Sequence, residues 1–96
     1  MPKNKTIKVG NRSIQAYFFP LQTKNLIFFK GSKGYIMCGY LNLAVSRKFN
    51  DVAAKIIGVS SIEDALKAKI HSCTVPARRL GIKPGQPVKE ALGIIA

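Results

Sequence analysis

Hydrophobic and polar residues alternate near the start of the chain with the two-residue period of half-buried strands. The alternation runs over residues 5–9 and resumes over residues 14–18, after Gly10-Asn11. Glycine and asparagine readily take the positive φ angles of tight hairpin turns. The pattern therefore predicts a β-hairpin, whose second strand ends at Pro20 because proline cannot continue a sheet ladder.

A second hairpin is predicted from the next apolar run. Residues 26–29 are apolar on both faces, as in an interior strand, and a glycine-rich turn over 31–34 leads into a strand over 35–38. After Gly39 the apolar positions fall three and four residues apart. Residues 41–49 are therefore predicted to form an amphipathic helix.

The second half of the chain alternates short strands and helices. The pattern predicts a strand over 52–59, a helix capped reciprocally by Ser60 and Glu63, a strand over 69–74, a helix over 76–80 and a last helix from Pro87 through Leu92. This order indicates an α+β domain, with a largely antiparallel or mixed sheet and helices packed on it.

Length and hydropathy place the whole chain, residues 1–96, in one domain. A chain of 96 residues that is 47% hydrophobic fits one core. Its apolar runs are far shorter than the roughly 20 residues of a membrane-spanning helix, and its basic start is not followed by the apolar stretch of a secretory signal. We expect a cytoplasmic protein without a membrane partner.

The charge is strongly positive and unevenly distributed. The chain has 16 lysines and arginines and four acidic residues, a net charge of +12. Residues 1–50 hold nine basic residues and no acidic one, whereas residues 51–96 hold seven basic and four acidic residues. Such an excess attracts polyanions in a salt-dependent manner. A basic, solvated surface without a specific partner explains the same numbers equally well.

Two cysteines and one histidine are the residues best suited to chemistry. Cys38 is predicted at the end of a strand just before a helix start, where free amides stabilise a thiolate nucleophile. His71 is a candidate base for it, provided that the two strands are neighbours in the sheet. The structural alternatives are a cysteine packed in the core and a histidine reaching water from a half-buried strand.

Metal and cofactor motifs are missing from the sequence. Cys38, Cys73 and His71 fall short of the four ligands of a structural zinc site, and no Cys-x-x-Cys pair is present. The phosphate-binding loop Gly-x-x-x-x-Gly-Lys-Ser/Thr is also absent. We therefore predict reduced thiols, no metal and no cofactor.

Several segments resemble the YunC-like family, also called domain of unknown function 1805. They are Gly34-Tyr35-Ile36-Met37-Cys38-Gly39-Tyr40-Leu41, Asp51-Val52-Ala53-Ala54, Gly58-Val59, Glu63-Asp64-Ala65-Leu66, Ala68-Lys69-Ile70, Leu80-Gly81-Ile82, Gly85 and Glu90-Ala91-Leu92. Gln86 stands where the family tends to carry Met, and this chain is unusually basic. The resemblance implies a small cytoplasmic α+β protein with no assigned reaction, and it supplies no catalytic residues.

A binding site for a small anion is predicted around the Cys38-Gly39 turn. Turns of this kind can offer backbone amides to an anion. Core packing, helix capping and a plain hairpin loop are the alternatives for its residues. The candidate ligand-binding residues are Gly34, Tyr35, Gly39, Tyr40 and Asn42.

The second functional hypothesis is non-catalytic binding of nucleic acid or another polyanion through the basic N-terminal half. Aromatic residues 17–19, 28 and 29 lie among basic residues there, as in sheets that stack bases. The sequence favours a core role for these rings, since Phe28-Phe29 must direct at least one ring inward. A small domain with several two-sided apolar strands is also expected to form a homo-oligomer.

Overall fold

The computed structural model describes residues 3–20, 25–38 and 51–96. Within them, six strands form one sheet in the order β1-β2-β3-β4-β5-β6. The strands are β1 (Lys3–Val9), β2 (Arg12–Pro20), β3 (Asn25–Lys30), β4 (Tyr35–Met37), β5 (Ala53–Lys55) and β6 (Ser72–Cys73). All neighbours are antiparallel except β4 and β5, which are parallel. The mixed sheet confirms the predicted α+β class.

Both predicted hairpins are present. Strands β1 and β2 pair from Lys3 opposite Phe18 to Val9 opposite Arg12, across the turn at Gly10-Asn11. Strands β3 and β4 pair from Phe28 opposite Met37 to Lys30 opposite Tyr35. Local alternation and turn residues were sufficient to predict these elements because each hairpin closes over only a few residues.

Three helices follow in the described part of the chain, and their starts differ in detail from the prediction. They are α1 (Ile62–Lys67), α2 (Val75–Arg79) and α3 (Val88–Ile95). The first cap is one residue later than predicted: Ser61 Oγ accepts a hydrogen bond from Asp64 N at 3.0 Å. The returning hydrogen bond is made by Asp64 and not by Glu63: the Asp64 carboxylate accepts from the Ser60 hydroxyl at 2.8 Å. The motif was correct and its register was wrong by one.

Strands β5 and β6 are much shorter than the predicted 52–59 and 69–74. After Ile56 donates its N–H to Met37 O, Ile57 turns outward and is 51% exposed, and Gly58 takes a φ of 72°. At β6 the ladder ends because Thr74 becomes the N-cap of α2. The helix predicted over 41–49 lies outside the described residues.

The buried Thr74 hydroxyl joins β5 to α2. Its Oγ1 donates to Asp51 O at 2.7 Å and accepts from Ala53 N at 3.1 Å and Ala77 N at 3.4 Å. Each buried backbone group left without a partner costs about 1–3 kcal/mol. One side chain therefore satisfies groups of a strand and of a helix start at the same time.

The three helices pack on one face of the sheet, where the main core lies. Alternate strand residues point into this core, and the helices add further apolar side chains. From the strands the buried members are Ile14, Ala16, Ile27, Phe29, Ile36, Ala54 and Cys73. This pattern follows from the two-residue period of strands, which sends every second side chain to the same face.

The opposite face of the sheet has a smaller apolar cluster and a row of rings. Met37 and Ala53 are buried there, with Phe28 and Tyr35 packed against them. None of the described helices is long and apolar enough to cross a membrane.

Candidate functional site

Cys38 lies in the core, directly after β4. Its side chain is 3% exposed and belongs to the main apolar cluster. Its N–H donates to Ile27 O at 3.1 Å, and its Sγ accepts from Ile27 N at 3.3 Å. The sulfur thus takes the place of a carbonyl oxygen at the end of the β3–β4 ladder. This position suits a packing role, and the nucleophilic role of Cys38 stays a prediction.

The structure does not bring His71 and Cys38 together. Strand β5 lies between β4 and β6, so the condition of neighbouring strands is not met. His71 is exposed, and its Nδ1 lies 3.3 Å from Ser72 Oγ. Cys73 is buried, and both cysteines are free. A Cys–His pair therefore has no geometric support among the described residues.

Two of the predicted ligand-binding residues line an open basin at one end of the sheet. Gly34 and Tyr35 contribute to a cavity of about 250 Å³. Its other lining residues are Lys30, Gly31, Ser32, Lys33, Asp51 and Val52. The remaining predicted residues, Gly39, Tyr40 and Asn42, lie outside the described part of the chain.

The β3–β4 loop forms one wall of the basin and is fixed at both ends. Gly31 N donates to Gly34 O at 2.9 Å, and Lys33 N donates to Ile95 O at 2.8 Å. The second bond satisfies a carbonyl of the last turn of α3, which has no partner within its own helix. No acceptor is found among the described residues for the N–H groups of Ser32 and Gly34. Two residues that line the basin therefore have backbone donors without an acceptor in the described part of the chain.

The opposite wall comes from Asp51 and Val52, just before β5. Tyr35 N donates to Val52 O at 3.1 Å, and the Tyr35 hydroxyl donates to Asp51 Oδ2 at 2.7 Å. The Lys30 and Lys33 side chains are exposed at the rim. With one carboxylate against two ammonium groups, the basin carries a formal excess of one positive charge.

Gly34 is needed for the close approach of these two walls. A Cβ atom at this position would lie 2.5 Å from Val52 O and 2.6 Å from Val52 Cγ1. Gly31 has the same constraint, since a Cβ there would overlap Ile95 O. Gly34, which the sequence indicated as a candidate ligand-binding residue, is thus required first by packing.

Asp51 and Val52 were missed by sequence reasoning. They reach the basin through the parallel pairing of β4 and β5, between residues far apart in the chain. A parallel pair needs a long crossover connection, and no local turn signal specifies its register. Lys30 and Lys33 were visible as basic residues beside a glycine-rich turn, although the turn alone was a weak signal.

Comparisons with known proteins agree on one family. A family model described as a domain of unknown function, DUF1805, matches residues 37–95. The uncharacterized protein YunC of Bacillus subtilis (strain 168) is 34% identical over 90 residues, covering 90% of this chain and 89% of YunC. The crystal structure of TA1206 from Thermoplasma acidophilum, a protein of unknown function, superposes with a TM-score of 0.94 at 35% identity. That match covers 100% of this chain and 94% of TA1206.

Gly34→Ala is expected to destabilise the protein by about 1–3 kcal/mol, because the new methyl group meets backbone that cannot move aside. Gly93→Ala is the matched control. Its Cβ would lie 3.7 Å from Val9 Cγ1, an ordinary contact, on helix α3. Alanine is favoured over glycine in helices, so this variant should gain roughly 0.5–1 kcal/mol. Urea unfolding measures both changes, and equal effects of the two substitutions would contradict the close contact at Gly34.

Cys38 is expected to resist alkylation in the native protein. In a Cys73→Ala variant, iodoacetamide at pH 7 should modify Cys38 slowly in the folded state and rapidly in guanidinium, because the folded chain buries the sulfur. Mass spectrometry of timed samples measures the two rates. Rapid native alkylation, blocked by an anionic metabolite, would instead support the active thiol.

Proposed function

This chain belongs to the DUF1805 family, whose function is unknown. From the geometry of the basin, we propose that the chain binds a small phosphate- or carboxylate-bearing ligand between the β3–β4 loop and residues 51–52, just before β5. The observation that carries the proposal is that Ser32 and Gly34, two lining residues of the basin, have backbone N–H groups with no acceptor among the described residues, beside the exposed Lys30 and Lys33. Backbone donors in loops are a recurrent means of holding anions.

The charge of the basin supports an anion over a cation. Lys30 and Lys33 flank the loop, and the carboxylate of Asp51 is engaged by the Tyr35 hydroxyl. Lysine ammonium groups act as point charges for phosphate and carboxylate. An exposed pair of this kind contributes modestly, about 0.2–1 kcal/mol for each contact, so the backbone donors must provide the orientation.

A thiol-dependent reaction at the Cys38-Gly39 turn is a second candidate function, and the structure favours it less than anion binding. Cys38 does not line the basin, and its sulfur is directed into the core. The buried, free cysteines fit a reducing compartment, which supports a cytoplasmic location.

We also infer that copies of the chain associate. Strand β1 is seven residues long and has β2 as its sole partner in the described sheet, so its outer edge is available for pairing. Sedimentation at micromolar concentration should therefore show an oligomer. A monomer at that concentration would contradict the inference.

Pyrophosphate is a suitable probe of the basin. Titration followed by amide NMR should produce saturable shifts at Ser32 and Gly34, because their N–H groups would bond the anion. Lys33→Ala should weaken binding about two- to fivefold, the range expected for one exposed charge contact.

Lys83→Ala is the matched control, since Lys83 is also exposed and does not line the basin. It should leave the affinity unchanged. Shifts spread over many exposed lysines, or equal losses in the two variants, would mean general attraction to positive charge and would overturn the proposal.

A further inference from the structure

A row of four aromatic rings crosses the sheet face opposite the helices. Tyr17 is the central link, with ring centroids 6.5 Å from Phe19 and 6.3 Å from Phe28. Phe28 in turn lies 5.3 Å from Tyr35. Phe19 is 40% exposed and the other three rings are half-buried. We call these four residues the aromatic row; it extends over β2, β3 and β4.

The register of the sheet explains why the rings share one face. Tyr17 lies directly opposite Phe28, and Phe28 directly opposite Met37. The adjacent residues Phe18 and Phe29 point to the helical face by the alternation of the strand. The expectation that Phe28-Phe29 directs at least one ring into the core is confirmed by Phe29. Phe28 packs against the smaller cluster on the other face, where the aromatic row leaves ring surface open to solvent.

Lysine side chains lie beside the aromatic row on the same face. Lys30 lies between Gln15 and Tyr35 across the strands, and Lys55 lies opposite Met37. By the alternation of the strands, Lys8 also lies on this face, whereas Lys3, Lys5 and Arg12 lie on the helical face. One carboxylate, that of Asp51, lies at the Tyr35 end of the row and accepts from the Tyr35 hydroxyl. A sheet face of this composition attracts a polyanion and offers ring surface beside the charges.

We propose that the aromatic row binds single-stranded nucleic acid, with bases stacked on Tyr17 and Phe28 and phosphates held by the flanking lysines. Aromatic rings stack on any base, since every base has a π-face, and lysines follow the backbone. A duplex hides its base faces and offers phosphates alone. A second copy of the chain would bring like charges together on this face, which opposes self-association here.

The basin lies at the Tyr35 end of the aromatic row, since Tyr35 belongs to both. There it would hold one phosphate of the strand. This part of the inference rests on the proposed function: the anion that binds in the basin would be a phosphate of the nucleic acid. Stacking on the other rings does not depend on the basin.

The test measures fluorescence anisotropy with a labelled 12-nucleotide oligo-dT, the matching oligo-U and a duplex of equal length, at several salt concentrations. Both single strands should bind more tightly than the duplex. Tyr17→Leu and Phe28→Leu keep an apolar side chain and remove the ring, so each should weaken single-strand binding at least fivefold.

Phe18→Leu is the matched control, because it makes the same kind of change at the next residue of β2, on the helical face. It should leave the affinity unchanged. Lys30→Ala should reduce the slope of log Kobs against log salt by about 0.7, the value for one phosphate contact in a single strand. Lys83→Ala should leave that slope unaltered. Thermal melting of each variant confirms folding.

Three results would overturn the proposal. They are duplex binding as tight as single-strand binding, equal losses in Phe18→Leu and Tyr17→Leu, and absence of binding at 50 mM salt. A fourth result would come from sedimentation. If the unmodified protein is an oligomer that does not bind the oligonucleotides, and Tyr17→Leu dissociates that oligomer, this face is an interface between copies. If pyrophosphate shifts the amide NMR signals of Ser32 and Gly34 but no oligonucleotide binds, anion binding in the basin is supported and nucleic acid binding is contradicted.

Discussion

The close contact between Gly34 and Val52 is the constraint on which the arrangement of this molecule depends. The first four strands form an antiparallel meander, and β5 joins it in parallel beside β4. A side chain at residue 34 would overlap the Val52 carbonyl oxygen and hold the two strands apart at their starts. The same approach brings Asp51 beside Tyr35 and so completes the basin. Packing and the candidate site are therefore one feature, with Thr74 fixing β5 from its other side.

One face of the sheet is buried in the main core, and the other is partly exposed to solvent. One face packs against three helices and contains the apolar interior, including the sulfur of Cys38. The other carries aromatic rings and lysines that remain accessible to solvent. Burial of Cys38 opposes thiol chemistry, because a reagent in solution has little access to the sulfur. Surface groups on the second face, and the basin that adjoins it, are better placed to meet a ligand.

Membership of a family without an assigned activity gives the surface features particular weight. TA1206 shares the fold over 94% of its length, and YunC is similar in sequence over 89% of its length. Binding by charge and ring stacking needs no nucleophile and no cofactor.

The sequence alone determined the local elements. Both hairpins, the helix starts near residues 61, 75 and 88, and the α+β class were predictable, because turn residues, caps and periodicity act over a few positions. The basin was predictable in part, since Gly34 and Tyr35 were indicated and Asp51 and Val52 were not.

Tertiary structure decided everything that needed residues distant in the chain to meet. It placed β5 between β4 and β6, which separates His71 from Cys38, and it shortened both later strands. It also assigned Phe29 to the core and Phe28 to the open face, although both are phenylalanine. The physical reason is that a period-two pattern fixes which residues share a face, whereas the packing of helices selects which face becomes the interior.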